Sequence, residues 1–191
     1  MRTAAKRKPF PHVLGPAFET LPREVREKHL TRDRSEWVGR GSVERGRGPW
    51  SWLIASVFGF PRQAPDVEVR VFKTAMPGGE IWDRRFGEKT FRSHLSATPT
   101  GMTERFGPFT FHLGLHVTTD GALHYPVVSG RLGPLPLPEW SLPRSDASER
   151  VRDGRFRFDV TLKAPLTGGL IVRYEGWLEP AGRDVPCPPA D

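Results

Sequence analysis

The chain has 191 residues, 37% of them hydrophobic and 10% aromatic, which suits one folded domain with a real core and excludes a disordered chain. The formal net charge is +7, but arginine is scattered among acids without the basic stripe, zinc-finger spacing or RNP-like aromatics of a dedicated binder, so nucleic-acid binding is not expected. A single cysteine, Cys187, excludes an internal disulfide and any multi-cysteine metal site.

Met1 to Lys8 is basic but leads into no apolar core, so no signal peptide is expected, and residues 1–15 read as a loose basic arm. No stretch approaches the ~18 apolar residues of a membrane span, and a cytoplasmic location is expected. Phe18, Leu21, Val25, His29 and Leu30 recur at helical spacing after Pro22, which predicts a short helix over 21–30. Residues 36–47 read as a Gly-interrupted strand. Pro49 then opens the apolar run Trp50 to Phe58, closed by Gly59 and Pro61, and predicts a second short helix packed as a plug or lid.

After residue 65 apolar residues recur at every second position. Val67, Val69 and Val71 alternate with Glu68 and Arg70; Phe156, Phe158, Val160 and Leu162 alternate with Arg157, Asp159 and Thr161. Successive strand side chains point to opposite faces, so this is sheet with one apolar and one wet face. Strands are predicted at 66–75, 79–86, 89–97, 102–106, 109–118, 122–129, 148–152, 155–163 and 169–178. The links between them are short turn signals such as Phe86-Gly87, Gly107-Pro108 and Asp153-Gly154. Gly133 to Pro143 is the one long connection, and residues 180–191 read as a flexible Pro-rich tail. The expected fold is mainly β: one domain over 16–179, an antiparallel strongly curved sheet or closed barrel of about nine strands, with two short N-terminal helices. A two-sheet sandwich is the remaining option.

The same alternation exposes exceptions. Trp82, Arg84 and Phe86 share a face, as do Met102, Glu104 and Phe106, and Glu149 lies on the side of Ala147 and Val151. A charge on an apolar face is expensive unless paired. Arg84 is therefore expected to meet Glu104 or Glu149 inside the cup, or to hold the anionic head of an apolar ligand; an ordinary rim salt bridge or a shifted register is the plainer account. Trp82, Phe106 and Tyr174 complete the candidate ligand-binding set, and no catalytic residue is assigned. His112 and His116 lie about 13 Å apart on one strand, too far to share a metal. The glycines at 39, 41, 46 and 48 lack the βαβ context of a dinucleotide loop. No metal and no cofactor are expected.

Read together, Leu21-Pro22 with Val25-Arg26, Arg45 to Gly48, Gly59-Phe60-Pro61, Trp82 with Arg84 and Phe86-Gly87, Glu104 to Pro108, Leu135 to Pro138, Gly154-Arg155-Phe156, and Tyr174 with Gly176-Trp177-Leu178 resemble the bacterial family called domain of unknown function 4166. The likeness runs from about residue 18 to 179. It implies no catalytic residues. Family members occur alone or as a tail on dehydrogenase-like or reductase-like Rossmann proteins, which implies a partner enzyme of that kind as one role for a chain without a Rossmann portion. Arg84 and Glu104 fall in matching pieces. Where the family commonly has Gly-Trp before Pro-Leu-Pro, this chain has Ser129-Gly130-Arg131, so a pocket lined by that tryptophan would differ here. Three roles stay open: a non-enzymatic module holding a hydrophobic or amphipathic small molecule, an accessory domain docking an oxidoreductase through Trp50 and Trp52 or the 133–143 connection, and an enzyme using Arg84, a glutamate and a histidine.

Overall fold

A computed structural model describes residues 8–182. Among these, thirteen strands build one antiparallel sheet: β1 (Arg34–Arg45), β2 (Ala64–Met76), β3 (Gly79–Phe86), β4 (Lys89–Thr98), β5 (Gly101–Phe106), β6 (Phe109–Leu113), β7 (His116–Val117), β8 (Leu123–His124), β9 (Val127–Leu132), β10 (Leu135–Pro136), β11 (Arg144–Arg152), β12 (Arg155–Lys163) and β13 (Leu170–Pro180). Their order is β10-β9-β6-β5-β4-β3-β2-β1-β13-β12-β11-β8-β7. The hairpins fall where the turn residues put them. Asp153 and Gly154 both have positive φ, 54° and 70°, the primed-turn geometry that matches strand twist.

The ladder of this sheet does not close, so a closed nine-strand barrel is not what the chain forms. The sheet is wrapped instead. Tyr125-Pro126 alone joins β8, near one edge, to β9, near the other. There the Tyr125 N–H donates to the Ala147 carbonyl at 3.0 Å and the Val127 N–H to the Ser145 hydroxyl of β11 at 2.7 Å. The strand count exceeds nine because β1, read separately at 36–47, joins the same sheet and because two expected strands are interrupted. Gly114 leaves the ladder to donate to the Pro126 carbonyl, and Pro126 has no N–H to extend it. The long connection adds β10 and a 3-10 turn, Glu139–Ser141.

Glycines in β1 and β13 let the sheet bend. A side chain at Gly39 would put its Cβ 1.9 Å from the Trp177 carbonyl oxygen, and one at Gly176 would sit 2.3 Å from that of Arg40. Only a residue without Cβ tolerates this approach between paired strands.

Helices fill the concavity. Pro9–Leu14 forms α1, a 3-10 turn spans Gly15–Thr20, and Arg23–His29 forms α2. The arm expected over residues 1–15 therefore becomes ordered structure from Pro9, because Phe10 is buried and its ring packs 3.6 Å from that of His29; residues 1–7 lie outside the described residues, as does most of the expected tail. Phe10, Phe18, Leu21 and Val25 are all buried. The third helix, α3 (Pro49–Val57), runs where the Pro-to-Gly punctuation predicts and packs on β13. No helix among the described residues is long and apolar enough to cross a membrane.

Candidate functional site

The inward row of each strand sets the site. Cross-strand partners point to the same face, so the register stacks Lys73 of β2, Trp82 of β3 and Ser93 of β4 in one row, and Val71, Arg84 and Phe91 in the next. Val69 and Phe86 form the row after that. A polar layer thus grades into an apolar one along the concave face. Between this wall, β11 to β13 and α3 lies a cavity. It offers about 110 Å³ to the centre of a water-sized sphere, and about 1030 Å³ of empty space when its open mouth is included.

All six residues singled out from the sequence, Trp82, Arg84, Glu104, Phe106, Glu149 and Tyr174, line this one cavity. They do not form one cluster. Arg84 donates to Glu104 Oε1 at 2.9 Å and to Ser93 Oγ at 2.7 Å, and Ser93 donates to the same glutamate oxygen at 2.6 Å. Burial is the largest single influence and opposes the Arg84 charge, but the Glu104 carboxylate with Tyr174 and Tyr125 together keeps the guanidinium pKa above its ordinary value. Of the two expected partners, Glu104 is therefore the one Arg84 meets. Glu149 belongs elsewhere: its Oε2 lies 2.5 Å from His29 Nε2 of α2, and its Oε1 accepts from the Tyr125 hydroxyl at 3.2 Å.

Electrostatics follow from burial. His29 is fully buried, and desolvation outweighs Glu149 to hold its pKa below the ordinary value, so the neutral ring donates from Nε2. Burial works to raise the Glu149 pKa, but His29, Lys28 and Lys73 together bring it below the usual carboxylate value. Burial pushes the Tyr125 hydroxyl well above 10, and that of Tyr174 up to about 12, so both stay protonated donors.

Sequence reasoning missed three buried charges. Lys73 and Glu80 pair at 3.2 Å, Glu80 also accepts from the Trp82 indole at 2.8 Å, and Lys73 donates to the Lys28 carbonyl at the end of α2. A cation there suits the unpaired carbonyls of a helix C-terminus. The third is Lys28. Its Nζ is buried, has no hydrogen-bond partner among the described residues, and belongs to a residue lining the cavity. It sits 4.9 Å from the Trp82 ring centroid and 5.3 Å from that of Trp37. Lys73 and Arg84 each lie 4.7 Å from the same Trp82 ring, so three cations share one indole. Two of them have carboxylate partners and Lys28 has none in direct contact. Burial, reinforced by Lys73, lowers the Lys28 pKa well below 10.5. The signal was present in the sequence. Lys28 is on the helical face of Leu21 and Val25, Lys73 shares the parity of Val69 and Val71, and Glu80 shares that of Trp82.

Among the described residues no group of three or more His, Cys, Asp or Glu side chains gathers at a metal-sized site. His116 and His124 stack across β7 and β8, 5.3 Å between ring centroids.

Neither a curated protein nor a solved structure matches the chain. The family model described as "Domain of unknown function (DUF4166)" matches residues 21–178. That span takes in α2 with Lys28 and His29, the helix α3, and every strand up to Leu178 of β13. The chain belongs to the DUF4166 family.

Proposed function

We propose that this protein is a non-enzymatic binding module that holds an amphipathic small molecule in the cavity, with the apolar tail among Phe86, Phe106, Phe111 and Phe158 and an acceptor head, a carboxylate, against Lys28. The observation that carries the reading is the Lys28 amine: a buried donor without a hydrogen-bond partner among the described residues, at the end of a mainly aromatic and aliphatic cavity whose other charged residues, Arg84, Glu104 and Glu149, are already paired. An unmet buried donor costs free energy that an acceptor in the cavity relieves. The anionic head expected at Arg84 is assigned instead to Lys28, because the Arg84 charge is already paired with Glu104 while Lys28 has no carboxylate among the described residues in direct contact. Apolar enclosure with a few convergent polar groups is the usual make-up of a small-molecule site.

The test is calorimetric titration with octanoate, 1-octanol and octylamine. Octanoate is expected to bind at least about tenfold more tightly than the alcohol, about 1.4 kcal/mol, and octylamine not at all. Lys28→Met removes the preference for octanoate and leaves octanol binding intact. No binding by any of the three overturns the reading.

An enzyme using Arg84, a glutamate and a histidine is less well supported. His29 bonds Glu149 rather than the Arg84 pair, and its ring does not line the cavity. The accessory-domain reading, with a dehydrogenase- or reductase-like partner, draws on one observation: Trp50 and Trp52 of α3 are exposed.

A further inference from the structure

The side chains of α3 are distributed in reverse of a normal surface helix. The small residues Ser51 and Ala55 face inward and are buried. Apart from Ile54, which is half-buried, the bulky apolar ones face out: Trp50 is 56% exposed, Trp52 69%, Leu53 45% and Val57 59%. A helix placed only to cover a core would bury its large residues and present polar ones to water. Nor does α3 carry a single charged residue.

The surface continues beyond the helix. Ser51 donates to the Leu170 carbonyl, which ties the first turn of α3 to the start of β13. The loop leading into Leu170 carries Leu166, 76% exposed and held at φ 65°. That left-handed backbone is unfavourable for leucine and persists only where surrounding structure imposes it.

The charges within the two sequence stretches that carry this surface have one sign. No Asp or Glu occurs between Glu44 and Asp66, the stretch containing α3, nor between Asp159 and Glu175, the stretch containing Leu166. Five cations lie in these two stretches. Arg45 is engaged with the Phe60 and Pro61 carbonyls and Arg173 with Asp159. Arg47, Arg62 and Lys163 are exposed.

We infer that α3 and the Leu166 loop dock this protein on an anionic lipid surface. Paired tryptophans with aliphatic neighbours suit the headgroup–acyl boundary, where the ring is half apolar and half wet, and a helix lying in the plane of that boundary buries one face. Exposed arginine and lysine flanking it meet anionic headgroups. A protein partner would more commonly be met by a rim of mixed polar groups. The inner side of the same helix, through Ile54 and Phe58, lines the cavity, so docking sets the wall of the ligand site against the source of amphipathic molecules. Only this last link rests on the proposed function; the docking itself does not.

The experiment is vesicle flotation of the full chain with phosphatidylcholine alone and with about 30% phosphatidylglycerol added, read together with tryptophan emission. The wild type is expected to float at least about tenfold more with the anionic vesicles, with a blue shift, and to be released by high salt. The double variant Trp50→Ser, Trp52→Ser loses flotation and shift yet keeps its melting temperature and octanoate affinity. Arg47→Glu with Arg62→Glu loses only the preference for phosphatidylglycerol. Absence of flotation by the wild type overturns the inference, as does equal flotation by the tryptophan variant. A concentration-dependent dimer that the tryptophan variant abolishes, without vesicle binding, overturns it in favour of a second copy of the chain. Octanoate failing to bind while vesicles still do would remove the cargo link and leave docking in place.

Discussion

Replacing Lys28 by methionine separates function from stability. The amine is buried, unbonded, and close to Lys73. An unsatisfied buried donor costs about 1–3 kcal/mol. The contacts with the Trp82 and Trp37 rings, 4.9 and 5.3 Å from their centroids, offset about 0.5–2 kcal/mol of that. Methionine keeps most of the stem's volume without the donor, so the ligand-free variant is expected to be more stable by about 1 kcal/mol near neutral pH, about 2–4 °C in a domain of this size. The sign of the pH dependence follows from linkage. Unfolded Lys28 holds its proton up to about 10.5, whereas the folded amine releases it well below. Between those values the unfolded state binds more protons, and wild-type stability rises with pH. Methionine does not titrate, so its melting advantage is largest at low pH and shrinks as pH climbs toward 10.5. Thermal melts of both proteins across that range, without ligand, decide it. A variant less stable than wild type by 1 kcal/mol or more, or a gap that stays constant with pH, would show that Lys28 is a structural strut and refute the reasoning.

Other perturbations have outcomes of known direction. Glu149→Ala leaves His29 and Tyr125 without their buried acceptor and is expected to cost about 3 kcal/mol, measured by denaturant unfolding. On the acid side the folded pKa values of His29 and Glu149 both lie below their unfolded ones. Stability is therefore expected to fall as pH drops below about 6.5, where unfolded histidine takes a proton, and again as Glu149 protonates; Glu149→Gln flattens the second part of a melting-versus-pH curve. Arg84→Ala leaves the half-buried Glu104 without its cation, though Ser93 still donates to it, and is expected to lose about 2 kcal/mol, whereas Arg84→Met with Glu104→Leu comes within about 1 kcal/mol of wild type. Gly39→Ala drives a Cβ into the Trp177 carbonyl, and its urea midpoint is expected to drop by the equivalent of about 2 kcal/mol.

Much of the architecture was legible in the chain because period-two patterning and turn chemistry are local. The limits of β3 and β12 and the position of α3 follow from residues adjacent in sequence. The wrapping of the sheet was not legible, since it depends on Tyr125-Pro126 reaching β11 from one side and β6 from the other, a contact between distant segments. Strand parity brought Arg84 and Glu104 to one face and left their pairing to the register. Glu149 was placed on the inner face, but its partner was not, because His29 arrives from a helix 120 residues away in sequence. Lys28 escaped notice for a different reason. A lysine on an apolar helical face ordinarily snorkels to water; here the Phe10 ring packs on His29 of α2 and on Trp82, and Lys28 is left buried.

The most direct test of the central claim is native mass spectrometry of freshly purified wild type and Lys28→Met, followed by solvent extraction. The account predicts a discrete added mass on the wild type, released as an acidic amphiphile, and its loss from the variant. A bare wild-type mass that stays bare after equilibration with octanoate, or an added mass carried equally by Lys28→Met, would contradict it.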